Sequence, residues 1–142
     1  MSQENWNDIQ ETDLSQTFTH AILAALGGGI GAAGRYFVGI AAIRLAGPNF
    51  PWGTFIVNIV GSLMIGLLVE VVARLLNQSA DMRVFLVTGV LGGFTTFSSF
   101  SLDTMTMVER GDYATAALYV AASVGLGLVA AFGGLMIGRA AF

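Results

Sequence analysis

Apolar residues fall into four long blocks separated by three short polar connections, with a polar, acidic stretch ahead of the first block. The blocks lie at about His20 to Leu45, Trp52 to Leu76, Arg83 to Val108 and Tyr113 to Ile137. Each exceeds the roughly 20 helical residues that cross a hydrocarbon core of about 30 Å. The pattern predicts an all-α integral membrane protein whose four spans are joined by AGPNFP, NQSADM and ERGD. Gly47 and Pro48 stop the first helix, Gly111 and Asp112 turn the third into the fourth, and Trp52 suits an interfacial belt. An even number of spans puts both chain ends on one side of the membrane.

The third block departs from an ordinary membrane helix at GVLGGFTTFSSFS, Gly89 to Ser101. Gly92 and Gly93 each weaken helix propensity by roughly 1 kcal/mol relative to Ala, and Thr95, Thr96, Ser98, Ser99 and Ser101 follow at once. Non-helical backbone survives at membrane depth only where it is buried in protein or lines a wet cavity. The expectation is a helix broken near Gly92 to Thr96, with carbonyls freed for a cation or water. Phe97 and Phe100 then share a face at i, i+3 spacing. Their ring edges are partly positive, so beside hydroxyl donors they suit a small anion in a narrow lumen. Lipid-facing or core packing is the alternative use of the two rings.

Composition agrees with a polytopic protein: of 142 residues, 55% are hydrophobic and 11% charged, and the mean hydropathy is +0.75. No room is left for a soluble catalytic domain. Without cysteine, disulfides and thiolate metal sites are excluded. A His pair for a metal, a P-loop lysine and a G-x-S-x-G elbow are absent too, and no enzyme activity is expected. Residues 1–19 hold Glu4, Asp8, Glu11 and Asp13 and no cation, unlike a secretory signal, and are expected to form a flexible acidic tail ahead of a channel domain at 20–142. Trp6 and Ile9 offer that tail a weakly amphipathic contact with the bilayer. His20 falls where the first helix meets the interface.

Charges inside the blocks are few and therefore informative. Arg35 lies well within the first block, where a charge costs at least about 2.5 kcal/mol, so it is expected to face a vestibule or partner unless it snorkels to the interface. Asn58 lies inside the second block, its amide suited to donate to an anion or to bridge helices. Glu70 has Arg74 as its i+4 neighbour, and Asp103 follows the hydroxyl run; either carboxylate is a candidate proton carrier.

Orientation follows the cations near helix ends. Arg74, Arg83 and Arg139 lie on the face with the termini and Arg44 and Arg110 on the other, and there is no Lys. So weak a bias allows insertion both ways and assembly as an antiparallel dimer. Gly27 and Gly31, then Gly134 and Gly138, are GxxxG pairs. Small residues also recur every fourth position at Asn58, Ser62 and Gly66, and at Thr115, Tyr119, Ser123 and Gly127 around one large ring. These rows suggest assembly between subunits, with packing inside one subunit as the alternative.

The segment GGFTTFSSFSLD, Gly92 to Asp103, resembles the GGxTTFSTFS signature of the Fluc (CrcB) fluoride channels, small four-helix proteins that work as dual-topology homodimers. PWGTFIVNIVGS from Pro51, GGIGAAGRY from Gly28 and ERGDY from Glu109 match the same family in the same order, and the resemblance covers about Gly28 to Ile137. It implies passive, electrogenic efflux of fluoride across a bacterial inner (plasma) membrane, relieving fluoride toxicity. It further implies that the backbone carbonyls of Gly92 and Thr95, with those of a second subunit, hold a central structural Na⁺ that is not transported. Phe97 and Phe100 would line two antiparallel pores, Asn58 would bond the anion, Thr54, Tyr119 and Ser123 would extend the polar path, and Arg35 would face a vestibule. The partners implied are a second copy, membrane lipid and fluoride, with no nucleic acid. Ser99 stands where many members have Thr and Asp103 where many have Glu; Gly127 falls where some have another hydroxyl.

Two rivals differ in chemistry. A proton-coupled exporter of fluoride or of small molecules needs an essential carboxylate, which small multidrug exporters place in the first span; here that span has Arg35 and no acid. A non-transporting assembly subunit would leave the clustered hydroxyls and Asn58 without purpose.

Overall fold

The computed structural model describes residues 3–74 and 79–142. These form α1 (Gln3–Ala46), α2 (Trp52–Arg74), a third span built in pieces, and α6 (Tyr113–Ala141). The third span begins with α3 (Ala80–Arg83), widens into a π-helical segment (Val84–Leu91), tightens again in α4 (Gly92–Phe94) and resumes as α5 (Phe97–Glu109) after a break. Asp13–Ala46, Trp52–Arg74, Ala80–Glu109 and Tyr113–Ala141 are all long and apolar enough to cross a membrane.

The helix ends are set locally. At the end of α1, Gly47 takes φ 79° and its N–H closes on the Ile43 carbonyl at 3.0 Å. Gly111, φ 78°, ends α5 with two bonds, its own N–H to Val108 and that of Asp112 to Met107. That 5→2 and 6→1 pair satisfies carbonyls a helix end leaves open. The first helix starts earlier than the expected boundary at His20: residues expected as a flexible tail are helical from Gln3. The exposed hydroxyls of Thr17 and Thr19 bond back to the carbonyls of Asp13 and Ser15, so this turn closes its polar groups on itself. The side chains of Trp6 and Ile9, and the expected end of the second span at Leu76, lie outside the described residues.

Backbone-on-backbone contact is closest within two pairs of helices, with α1 and α2 also meeting at Gly39 and Gly53. A Cβ on Gly31 would run into the carbonyl of Val90, and one on Gly93 into the carbonyl of Gly28, so α1 lies directly against the third span. The second pair is α2 with α6, where Gly66 meets the Ala131 carbonyl and Gly134 the Leu63 carbonyl. The reading of the GxxxG pairs as contacts between subunits is thereby corrected. Gly27 and Gly31 are spent on the third span, Gly134 and Gly138 on α2, all within one chain.

Glu70 bonds Arg74 and Arg139 at 3.0 Å each, tying α2 to α6 as well as reaching its i+4 neighbour. His20 pairs with Asp81 at 3.0 Å, joining α1 to α3. The outer faces stay apolar, with Phe37, Val129 and Phe132 exposed.

Candidate functional site

The break in the third span sits at Thr95 and Thr96, two residues past the glycine pair. Gly92 is helical (φ −62°, ψ −36°), whereas Thr95 (φ −80°, ψ 160°) and Thr96 (φ −155°, ψ 117°) are extended. The helix-breaking role expected of the glycines therefore moves to the threonines. The helical Gly93 serves close approach to α1 instead.

Thr96 caps the resumed helix: its hydroxyl accepts the Ser99 N–H at 3.1 Å and lies 3.1 Å from the hydroxyls of Ser98 and Ser99. Such a cap satisfies an N–H that the first helical turn leaves open. Thr95 bonds its own hydroxyl back to the Leu91 carbonyl at 2.9 Å. Much of the hydroxyl run is thus occupied with the backbone of its own span.

Two side chains reach the break from other spans. Asn58 of α2 accepts the Thr96 N–H through Oδ1 at 2.8 Å and donates through Nδ2 to the Thr96 carbonyl at 3.1 Å. Arg35 Nη1 donates to the Thr95 carbonyl at 3.3 Å. Arg35 sits roughly 16 Å of helix below Ala46, at about 1.5 Å per residue. It is buried in part against the protein and lines a hollow there.

Thr96 lies between two hollows. One, of about 370 Å³, is lined by Arg35, Thr54, Thr96, Ser99 and Asp103 and reaches up to Arg110. The other, of about 350 Å³, is lined by Asn58, Ser62, Gly92, Thr95, Thr96 and Phe97. An aromatic ladder runs beside them. The rings of Phe97 and Phe100 lie 5.6 Å apart, Phe100 lies 5.3 Å from Tyr119, and Tyr119 meets Phe50 edge-on at 5.4 Å. Tyr119 is fully buried and its hydroxyl donates to Asp103 Oδ2 at 3.3 Å, whereas Phe97 is 79% exposed.

The expected residues are therefore mostly brought together. Arg35 and Thr54 share the first hollow, Asn58, Phe97, Gly92 and Thr95 the second, and Phe100 and Tyr119 the ladder. Ser123 lines neither hollow; its buried Oγ has no hydrogen-bond partner among the described residues. Sequence reasoning missed the part played by Thr96, although a Thr just ahead of a resuming helix is a favoured N-cap residue. It also missed the tie between Asp103 and Tyr119, and the seat of Gly61 against the Thr95 methyl.

For a cation, the ligands on offer are neutral carbonyls, of which that of Thr95 already accepts an N–H from Arg35. In a continuous helix the Thr96 N–H would point at the Gly92 carbonyl; here it goes to Asn58 instead, and Gly92 and Thr95 line the same hollow. Hard, neutral oxygens of this kind suit an alkali or alkaline-earth ion.

The profile of the family described as CrcB-like protein, Camphor Resistance (CrcB), matches residues 22–135. The chain belongs to the CrcB family. Among its curated relatives, the fluoride-specific ion channel FluC of Agrobacterium fabrum is 62% identical over 120 residues, 84% of this chain and 96% of the relative. The protein of the same name from Allorhizobium ampelinum is 58% identical over 118 residues, covering 83% and 94%. That of Rhizobium meliloti is 49% identical over 121 residues, covering 85% and 97%. With four spans and these relatives, this CrcB member is a multi-pass bacterial membrane protein. The match begins past residue 21, so the first turns of α1 lie outside it.

Proposed function

We propose that this CrcB protein is a transporter rather than an enzyme: a channel through which fluoride leaves the cytoplasm down its electrochemical gradient, across the inner membrane. The observation that carries the reading is the break at Thr95 and Thr96, with a hollow on either side and an aromatic ladder alongside, in a chain that matches fluoride-specific ion channels over most of its length.

Arg35 raises anion concentration in the first hollow by its field, with Asp103 engaged by the Tyr119 hydroxyl. Thr54, Asn58 and Ser123 supply neutral donors, Tyr119 would join them when its hydroxyl turns from Asp103, and Phe97 and Phe100 supply ring edges. Weak, distributed contacts of this kind let an anion enter without being held too tightly to leave. The working unit is an antiparallel homodimer, in which a second copy covers the exposed Phe97 ring. The Gly92 and Thr95 carbonyls would hold the structural Na⁺, which would supply a fixed positive charge beside the break.

The test is fluoride efflux from potassium-loaded proteoliposomes, followed with a fluoride electrode. Efflux triggered by valinomycin alone, with chloride retained, is the expected result. A requirement for a proton gradient would overturn it in favour of coupled export, with Asp103 as the carrier. Phe97→Ile and Phe100→Ile should each cut the flux at least tenfold, on the order of a lost aromatic contact worth 1.4 kcal/mol, with the dimer intact. Unchanged flux in both would remove the rings from the path.

A further inference from the structure

At the break, an extended residue sits at membrane depth, where a backbone group without a partner is costly. Both groups of Thr96 are satisfied by one side chain: its N–H by Asn58 Oδ1 at 2.8 Å, and its carbonyl by Asn58 Nδ2 at 3.1 Å. This is the two-bond exchange that a neighbouring strand offers an extended residue. The scaffold behind it is fixed. Val57, next to Asn58, is fully buried, and Gly61, one turn on, seats the Thr95 methyl so closely that a Cβ there would strike it.

The geometry also settles which way the amide points. Oδ1 must face the Thr96 N–H, so Nδ2 faces the carbonyl, leaving one amide hydrogen without a partner among the described residues. Asn58 bridges α2 to the third span, the alternative to anion donation that its position in the sequence left open. Both uses fit one side chain, because the pairing consumes only one of its two N–H groups.

We propose that Asn58 is a positioning residue: by pairing with both backbone groups of Thr96 it fixes where the third span opens, and so which carbonyls and ring edges face the ion path. The functional half of this statement rests on the reading of the protein as a fluoride channel; the structural half does not.

Hydrogen–deuterium exchange of the full chain in lipid nanodiscs, in fluoride-free buffer, separates the two. With both bonds lost, Asn58→Ala should exchange about tenfold faster at residues 92–99, while segments of α2 and α6 around Gly66 and Gly134 keep wild-type protection. In proteoliposomes its efflux rate per active vesicle should fall while the fraction of vesicles that empty stays the same; simple misfolding would lower that fraction instead. Asn58→Asp keeps the volume and the acceptor but loses the Nδ2 donor, and should exchange about threefold faster. It decides the matter if the alanine variant does not fold. Exchange within about twofold of wild type in the folded variants overturns the proposal and leaves Asn58 as an anion donor only. If the wild type fails to conduct fluoride yet Asn58→Ala still loosens residues 92–99, the pairing stands and the conduction reading falls.

Discussion

Tyr119 shows how one side chain joins packing to a polar contact. Its ring is enclosed by Phe50, Phe55 and Phe100, and its hydroxyl reaches Asp103. Tyr119→Phe keeps the ring and loses one hydrogen bond, so it should cost about 1 kcal/mol of stability. Tyr119→Ala opens a cavity and should cost about 3–5 kcal/mol, as for other large aromatics. Thermal melting in detergent measures both. If the hydroxyl belongs to the ion path, Tyr119→Phe lowers fluoride efflux at nearly wild-type stability; unchanged efflux leaves Tyr119 a packing residue. The spacing of Phe97 and Phe100 was legible because i, i+3 neighbours need only a helix to meet. The contact of Phe100 with Tyr119 was not, because it depends on how α5 and α6 are placed.

Among the elements, the third span is the one that sequence pattern described least completely. Gly-Gly followed by hydroxyls marked a weak place correctly, but propensity put the fault on the glycines. The structure puts it on Thr95 and Thr96, whose extended backbone is completed by Asn58, 38 residues away in sequence, and by Arg35, 60 away. Nothing local announces such partners. The π-helical turn before the break was likewise invisible, since a wide turn keeps the same apolar composition as an α-helical one. Glycines near it carry a sharp expectation. Gly31→Ala and Gly93→Ala drive a methyl into a carbonyl of the facing helix and should each cost roughly 1–3 kcal/mol or more, the range of overpacked cores. Gly29→Ala and Gly125→Ala, where a Cβ meets nothing within 4 Å, should be tolerated. Yield of monodisperse protein and melting temperature distinguish the two groups.

At the scale of the molecule, the four spans and the first and third connections were legible from hydropathy and turn residues, because a bilayer imposes length and polarity on every helix that crosses it; the third span begins earlier than expected, at Ala80. Assembly was less so: the glycine rows that suggested docking between subunits are consumed within one chain. The cations divide three to two between the faces, so tags on the termini should be accessible from both sides of the membrane in one preparation. Arg110→Gln, leaving three against one, should shift the population towards a single orientation and reduce fluoride efflux if antiparallel pairs conduct. The order of the chain has its own consequence for biosynthesis. The third span, emerging alone into lipid, would carry open backbone groups at Thr95 and Thr96, each worth several kcal/mol. By then the ribosome has already delivered Arg35 and Asn58. The partners that complete the bend thus precede it in the chain, and a third span without the first two would lack the side chains that hold it.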